Sequence, residues 1–317
     1  MFRTLSTIAV AFLLFSRIGA SQSLLFKTID FPATGILGQA ATAIDDRGRI
    51  IGSYQLNSSA TLHGFVLEND SFETLDVSPL GGTLRGINKH GEISGFLSDQ
   101  NGLHAFRYFS GITTVIDVPG ANLTEGTGLN DKGQIVGDYR DPTNSNIFHG
   151  FVYENGYFIT LDFPGASATA PSSINNRGQI VGFFLNASGF HGFLFDSGLY
   201  TSIDMPGALF TNPLSINDHG VIVGSYSNGF TNHGFIYRDG TFTTIDFPEA
   251  ALTEVWGINN KGTIVGRYVD TSAVNHNFVG TPVLEISEQS GYSQSGMVGL
   301  IRRPRGAKQM DCTSSEC

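Results

Sequence analysis

The stretch SSINNRGQIVGFFLNASGFHGFLFDSGLYTSIDMPG, residues 172–207, contains one whole structural unit. Ser172–Asn175 reads as a short strand. Asn176, Arg177 and Gly178 read as a turn, with Gly where the chain needs a positive φ. Gln179–Leu185 reads as a second strand, Ile180, Gly182 and Phe184 alternating with Val181 and Phe183. Asn186–Phe190 is a loop. His191–Phe195 is a third strand with His191, Phe193 and Phe195 on one face. Asp196, Ser197 and Gly198 turn the chain into a fourth strand, Leu199–Asp204, ended by Pro206 and Gly207. Period-two alternation between turn residues is the signature of half-buried strands.

Working outward, the unit recurs with a period of about 41–45 residues. An Asx-x-x-Gly turn begins at Asp45, Asn88, Asn130, Asn175, Asn217 and Asn259. A His-x-Phe motif recurs at His63, His104, His149, His191, His233 and His276. An apolar-Asp-apolar motif recurs at Asp30, Asp76, Asp117, Asp162, Asp204 and Asp246. The order of these markers carries the topology. The first one met, at Lys27–Pro32, is a fourth-strand marker with nothing before it to complete. The last unit, residues 258–282, has three strands and no fourth-strand marker. A ring resolves both facts, because the N-terminal strand can complete the last unit. The expectation is an all-β, six-bladed β-propeller of four-stranded blades closed by the N-terminal strand. Closure also removes exposed sheet edges.

Composition agrees. The chain has 317 residues, 40 of them Gly, with 25 Phe and 10 Tyr and only 15% charged. That excludes a disordered acidic chain and disfavours helix, in which Gly costs about 1 kcal/mol relative to Ala. A formal net charge of −10 excludes nucleic acid as the natural partner. Residues 1–20 read as a secretory signal: Arg3, an apolar run from Ile8 to Phe15, and small residues before Ser21. The mature chain is therefore expected to be secreted or at a cell surface, monomeric and without a membrane span. Residues 21–282 form the propeller, and residues 283–317, which hold both Cys, read as a flexible tail.

His104-Ala105-Phe106, His191-Gly192-Phe193 and turns such as Ile174-Asn175-Asn176-Arg177-Gly178 resemble those of the extracellular HAF-repeat proteins of bacteria, over residues 24–282. The resemblance implies a secreted repeat protein and carries no catalytic residue. Gly296–Ile301 followed by Arg302 and Arg303 resembles only the end of the sorting signal that some such proteins carry.

The repeated His and Asp read as a structural pair between neighbouring strands rather than as metal ligands. Function is expected where the blades differ. The connections before each first strand contain Gln39, Arg85, Glu125, Asn212, Glu254 and Trp256. The loops between second and third strands add Asp99, Asp138, Tyr139, Arg140, Asp141, Arg267, Tyr268 and Asp270. Glu125 and Glu254 share an offset in the third and sixth blades, which face each other in a six-fold ring. From these, Arg85, Glu125, Tyr139, Asn212, Glu254, Trp256 and Tyr268 are the candidate binding residues. One reading is a carboxylate-lined mouth for calcium, the possible cofactor. Another is a site for an extracellular glycan, polymer or protein, with Trp256 and the tyrosines as stacking surfaces. The chain then acts as a binding or display module. A secreted carboxylate-dependent hydrolase or lyase at the same face is the alternative. No nucleophile elbow, metalloprotease helix or phosphate loop is present outside the tail.

Overall fold

The computed structural model describes residues 8–9, 23–57, 59, 61–141, 143–144 and 147–283. They form six antiparallel sheets arranged as a six-bladed β-propeller. The fourth blade shows the pattern: Ala168–Ile174, Ile180–Asn186, Gly189–Asp196 and Leu199–Ile203, in that order from the innermost strand outward. Blade six takes Leu252–Ile258, Ile264–Val269 and Asn275–Pro282 from the C-terminal side. Its fourth strand is Leu24–Thr28, antiparallel to Asn275–Pro282 with Phe26 opposite Gly280. The N-terminal strand therefore closes the ring. Of the segment read as a secretory signal, only Ile8–Ala9 is described, as a short strand beside Leu24–Thr28. The tail reading at residues 283–317 lies outside the described residues, apart from Val283. No helix among the described residues is long and apolar enough to cross a membrane.

The motif residues turn out to be the framework. Phe65, Phe106, Phe151, Phe193, Phe235 and Phe278 are all fully buried. Each ring lies on a glycine of the second strand: Gly52, Gly95, Gly137, Gly182, Gly224 or Gly266. A side chain there would collide with the Phe ring and with a first-strand carbonyl. That is why each second strand begins with two residues and then Gly.

Each repeat His donates from Nδ1 to the repeat Asp. The distance is 3.0 Å for His63 to Asp76, 2.7 Å for His104 to Asp117 and 2.8 Å for His149 to Asp162. It is 3.1 Å for His191 to Asp204, 3.0 Å for His233 to Asp246 and 2.6 Å for His276 to Asp30. The last pair joins residues 246 positions apart and so belongs to the closure. Since carboxylates only accept, these bonds fix the proton on Nδ1.

The repeat Asn does more than cap its own turn. Asn175 Oδ1 accepts from the Arg177 and Gln179 amides, each at 3.0 Å. Its Nδ2 donates to the Asn217 carbonyl of the next blade at 2.9 Å. The same link runs from Asn88 to Asn130, Asn130 to Asn175, Asn217 to Asn259, and Asn259 to Asp45. Asp45 has no amide to pass on, and Arg49 Nη2 reaches the Asn88 carbonyl instead, at 3.4 Å. A belt of hydrogen bonds thus encircles this end of the channel.

One expectation needs correcting. The first strand of blade four starts at Ala168, not Ser172, and the others are similarly long. Their alternation is broken by a bulge at the same place in every blade: Thr42, Arg85, Thr127, Ser172, Leu214 and Trp256. An extra residue shifts the period of two, and a strand facing a channel lacks the apolar alternation of a core strand.

Candidate functional site

This correction relocates the candidate residues. Gln39, Arg85, Glu125, Asn212, Glu254 and Trp256 lie within innermost strands, not in the connections before them. Asp138, Tyr139, Arg140, Arg267 and Tyr268 lie within second strands, not in loops. Two residues before each bulge, a first-strand residue pairs with one of the second strand: Ala40 with Ser53, Thr83 with Phe96, Glu125 with Asp138, Ala170 with Phe183, Asn212 with Ser225, and Glu254 with Arg267. No two of these six pairs are alike, while the Phe, Gly, His and Asp positions around them repeat. Together with the bulge residues they are the variable positions of the two inner strands.

Arg85 and Trp256 meet although blade one stands between their blades. The Arg85 guanidinium lies 4.9 Å from the Trp256 ring and 5.6 Å from Phe96. This cation–π arrangement holds the Arg85 guanidinium between two aromatic rings. Arg85 Nε is buried without a hydrogen-bond partner, and so is Asn212 Oδ1 in blade five. Burial pushes the Arg85 pKa down, against the opposing charges of Glu125 and Asp138.

Glu125 and Asp138 are direct cross-strand neighbours, a geometry that puts their Cβ atoms about 4.5–5.5 Å apart. Burial raises the Glu125 pKa, and Arg85 and Arg140 only partly offset it. Burial, then the Glu125 charge, push Asp138 up to about 8. Near neutral pH Asp138 is therefore a protonated acid beside an ionisable one. Because its folded pKa exceeds the unfolded value, its contribution to stability is complete below about pH 4 and is lost as pH rises towards 8. Asp138→Asn, which mimics the protonated form, is expected to match the native melting temperature below about pH 4 and to exceed it by a growing margin as pH rises towards 8. Parallel melting curves across that range would refute this protonation state.

Glu254 is differently placed. It accepts from Arg267 Nε at 2.7 Å, Asn232 Nδ2 at 3.0 Å and Trp256 Nε1 at 3.2 Å. Burial alone would raise its pKa, but Arg267 and the other donors hold it below the ordinary value. The two glutamates are thus not equivalent rim acids: Glu254 is a fixed ion pair and Glu125 is not. Tyr139 and Tyr268 do not join the group. Tyr139 packs against His149 at 5.3 Å. Tyr268 is buried, stacked on Phe247 at 3.7 Å and on His276 at 4.9 Å. Both support repeat histidines. Among the described residues no set of three His, Cys, Asp or Glu is arranged to hold a metal.

Comparison with known proteins adds the fold alone. No family model and no curated protein matches the sequence. Among solved structures, the chain is similar to a triple arginine-to-alanine mutant of AofleA from Arthrobotrys oligospora, at 16% identity over 84% of this chain and 90% of that one, with a TM-score of 0.50. It is also similar to the β-propeller domain of the trilobed protease of Pyrococcus furiosus, at 9% identity over 78% and 94%, with a TM-score of 0.51. TolB from Acinetobacter baumannii gives 11% identity over 79% and 66%, with a TM-score of 0.51. The class of protein is therefore a β-propeller module.

Proposed function

We propose that the chain is a secreted binding module whose ligand, a polyhydroxylated molecule such as a glycan segment, enters the channel and contacts Arg85, Glu125, Asp138 and Asn212. The supporting observation is the contrast between a repeated framework and six unlike inner-strand pairs, with Asn212 Oδ1 in one pair and Arg85 Nε at a neighbouring bulge buried without partners. Buried polar groups ordinarily find partners, because leaving one unmade costs about 1–3 kcal/mol. Here a guanidinium donor, a protonated carboxyl, an ionisable carboxyl and an amide oxygen lie on the two inner strands of blades two, three and five. Hydroxyl groups, which donate and accept, suit such a mixture.

The test is a glycan screen followed by calorimetry. Asn212→Ala and Glu125→Gln are each expected to weaken the selected glycan about tenfold, the scale of one or two lost hydrogen bonds, with the fold intact. Unchanged affinity in both, or no glycan bound at millimolar concentration, would refute the reading.

A second reading, a hydrolase or lyase, is favoured by the Glu125–Asp138 pair, an acid kept protonated next to a potential base. Under that reading the bound glycan is cleaved and Glu125→Gln stops turnover while preserving binding.

A further inference from the structure

Between blades five and six lies a second cavity of about 430 Å³, within the size range of ligand pockets. It is lined by Asn232 and His233 of one blade, by Asp246, Pro248 and Glu249 of the connection, and by Leu252 at the start of the next blade. Nothing in the channel reading uses it.

Its origin is legible residue by residue. The residue before the repeat His is Leu62, Leu103, Phe148 or Phe190 in the first four blades, but Asn232 in the fifth and Asn275 in the sixth. Phe148 lies under Arg140 at 4.2 Å and Phe190 packs on Phe183 at 5.8 Å. Asn232 is shorter and is drawn sideways to Glu254. The second departure is in the connection. Three blades leave by a Pro-Gly-Ala turn, with φ of 83° at Gly120, 79° at Gly165 and 80° at Gly207. Blade five has Pro248-Glu249-Ala250, and Glu249 holds φ 60°, with the same closing bond from the Ala250 amide to the Phe247 carbonyl at 3.1 Å. A type II turn wants Gly at that position. A glutamate there is strained, and strain of this kind collects at functional positions. Among the described residues Glu249 makes no hydrogen bond or ion pair.

The residue before the lining Thr231 is aromatic. Phe230 is 98% exposed. Its neighbour Thr231 donates to the Ala251 carbonyl at 2.7 Å, which ties this loop to the connection. The charge is one-sided. Asp246 is hydrogen-bonded by His233, Glu249 is unpaired, and no Lys or Arg lines the cavity.

We propose that this cavity binds a basic side chain, lysine or arginine, presented by a partner peptide. The cationic head meets Glu249 and Asp246, the aliphatic stem runs along Pro248 and Leu252, and Phe230 covers it with the cation–π geometry open to an exposed ring.

The test is calorimetric titration of the intact chain with blocked Gly-Arg-Gly and Gly-Lys-Gly peptides and with the uncharged citrulline analogue. At least one basic peptide is expected to bind, and the citrulline peptide at least tenfold more weakly. Glu249→Gln is expected to cost about tenfold. Glu249→Gly is expected to abolish binding while raising the melting temperature by about 2 °C, since the turn regains its preferred residue. Asn212→Ala, in the channel, should leave the peptide affinity unchanged, so failure here and failure of the channel reading are separable. Three outcomes would each overturn the proposal: no basic peptide binding at millimolar concentration, equal binding of the citrulline peptide, or a lower melting temperature for Glu249→Gly.

Discussion

Phe26→Ala is expected to destabilise the whole ring by about 3–5 kcal/mol, the usual cost of emptying a buried phenylalanine site. Phe26 is 3% exposed and meets Phe247 and Phe278 edge-to-face at 5.5 and 5.6 Å. It is also the central residue of the closing strand, opposite Gly280. The loss is large against a total stability of about 5–15 kcal/mol. Detachment of Leu24–Thr28 would in addition bare the edge of Asn275–Pro282, which invites pairing with other chains. Urea denaturation with size-exclusion chromatography checks both effects. A loss below about 1 kcal/mol, with no new oligomer, would mean that the strand does not help to close the ring.

Gly182→Ala is the second severe substitution, at several kcal/mol, for a different physical reason. An added Cβ would sit 2.2 Å from the Ala170 carbonyl oxygen, 2.7 Å from the Pro171 Cα and 2.9 Å from Phe193. Two of these neighbours are backbone, so relief requires the first and second strands to separate, and overpacking of a close-packed core is not absorbed locally. Gly178→Ala is the control. Its φ is 83° and nothing lies within 4 Å of the added atom, so only turn strain of about 1 kcal/mol is expected. Thermal denaturation of the two variants should separate them clearly. Equal shifts would show that Gly182 is present for backbone freedom rather than for close approach.

The parts visible in the sequence are those on which neighbouring residues impose themselves. The turn at Asn175–Gly178, the alternation around Phe184 and the offset of Asp30 from the other repeat aspartates are local or periodic signals. They sufficed for blade number, strand order and closure. The innermost strands were less legible because the bulge at Ser172 breaks their period and because channel-facing residues need not be apolar. For the same reason Arg85 and Glu125 were read as belonging to connections. The inter-blade bond of Asn175 was invisible for another reason: its partner, the Asn217 carbonyl, lies in the next unit, and a backbone acceptor leaves no mark on side-chain identity. Tyr268 is expected in a loop between second and third strands, as a stacking surface, but stacking on Phe247 and a 2.9 Å bond to Thr28 hold it in the core. Glu249 and Asn232 were missed although a signal existed. Each breaks a pattern held by most other blades, and aligning the six units position by position exposes both.

The channel exists only if the two ends of the propeller meet. The Ile29 amide bonds to the Asn277 carbonyl and the Val283 amide to the Ser23 carbonyl. Antiparallel alternation then makes Phe26 and Gly280 a non-hydrogen-bonded pair, with Cα atoms about 4.5 Å apart. The direct measurement is the nuclear Overhauser effect between their α-protons. A strong cross-peak between Phe26 and Gly280 is the predicted result. Its absence, with both residues assigned and Phe26 in contact with another strand, would contradict the closed ring.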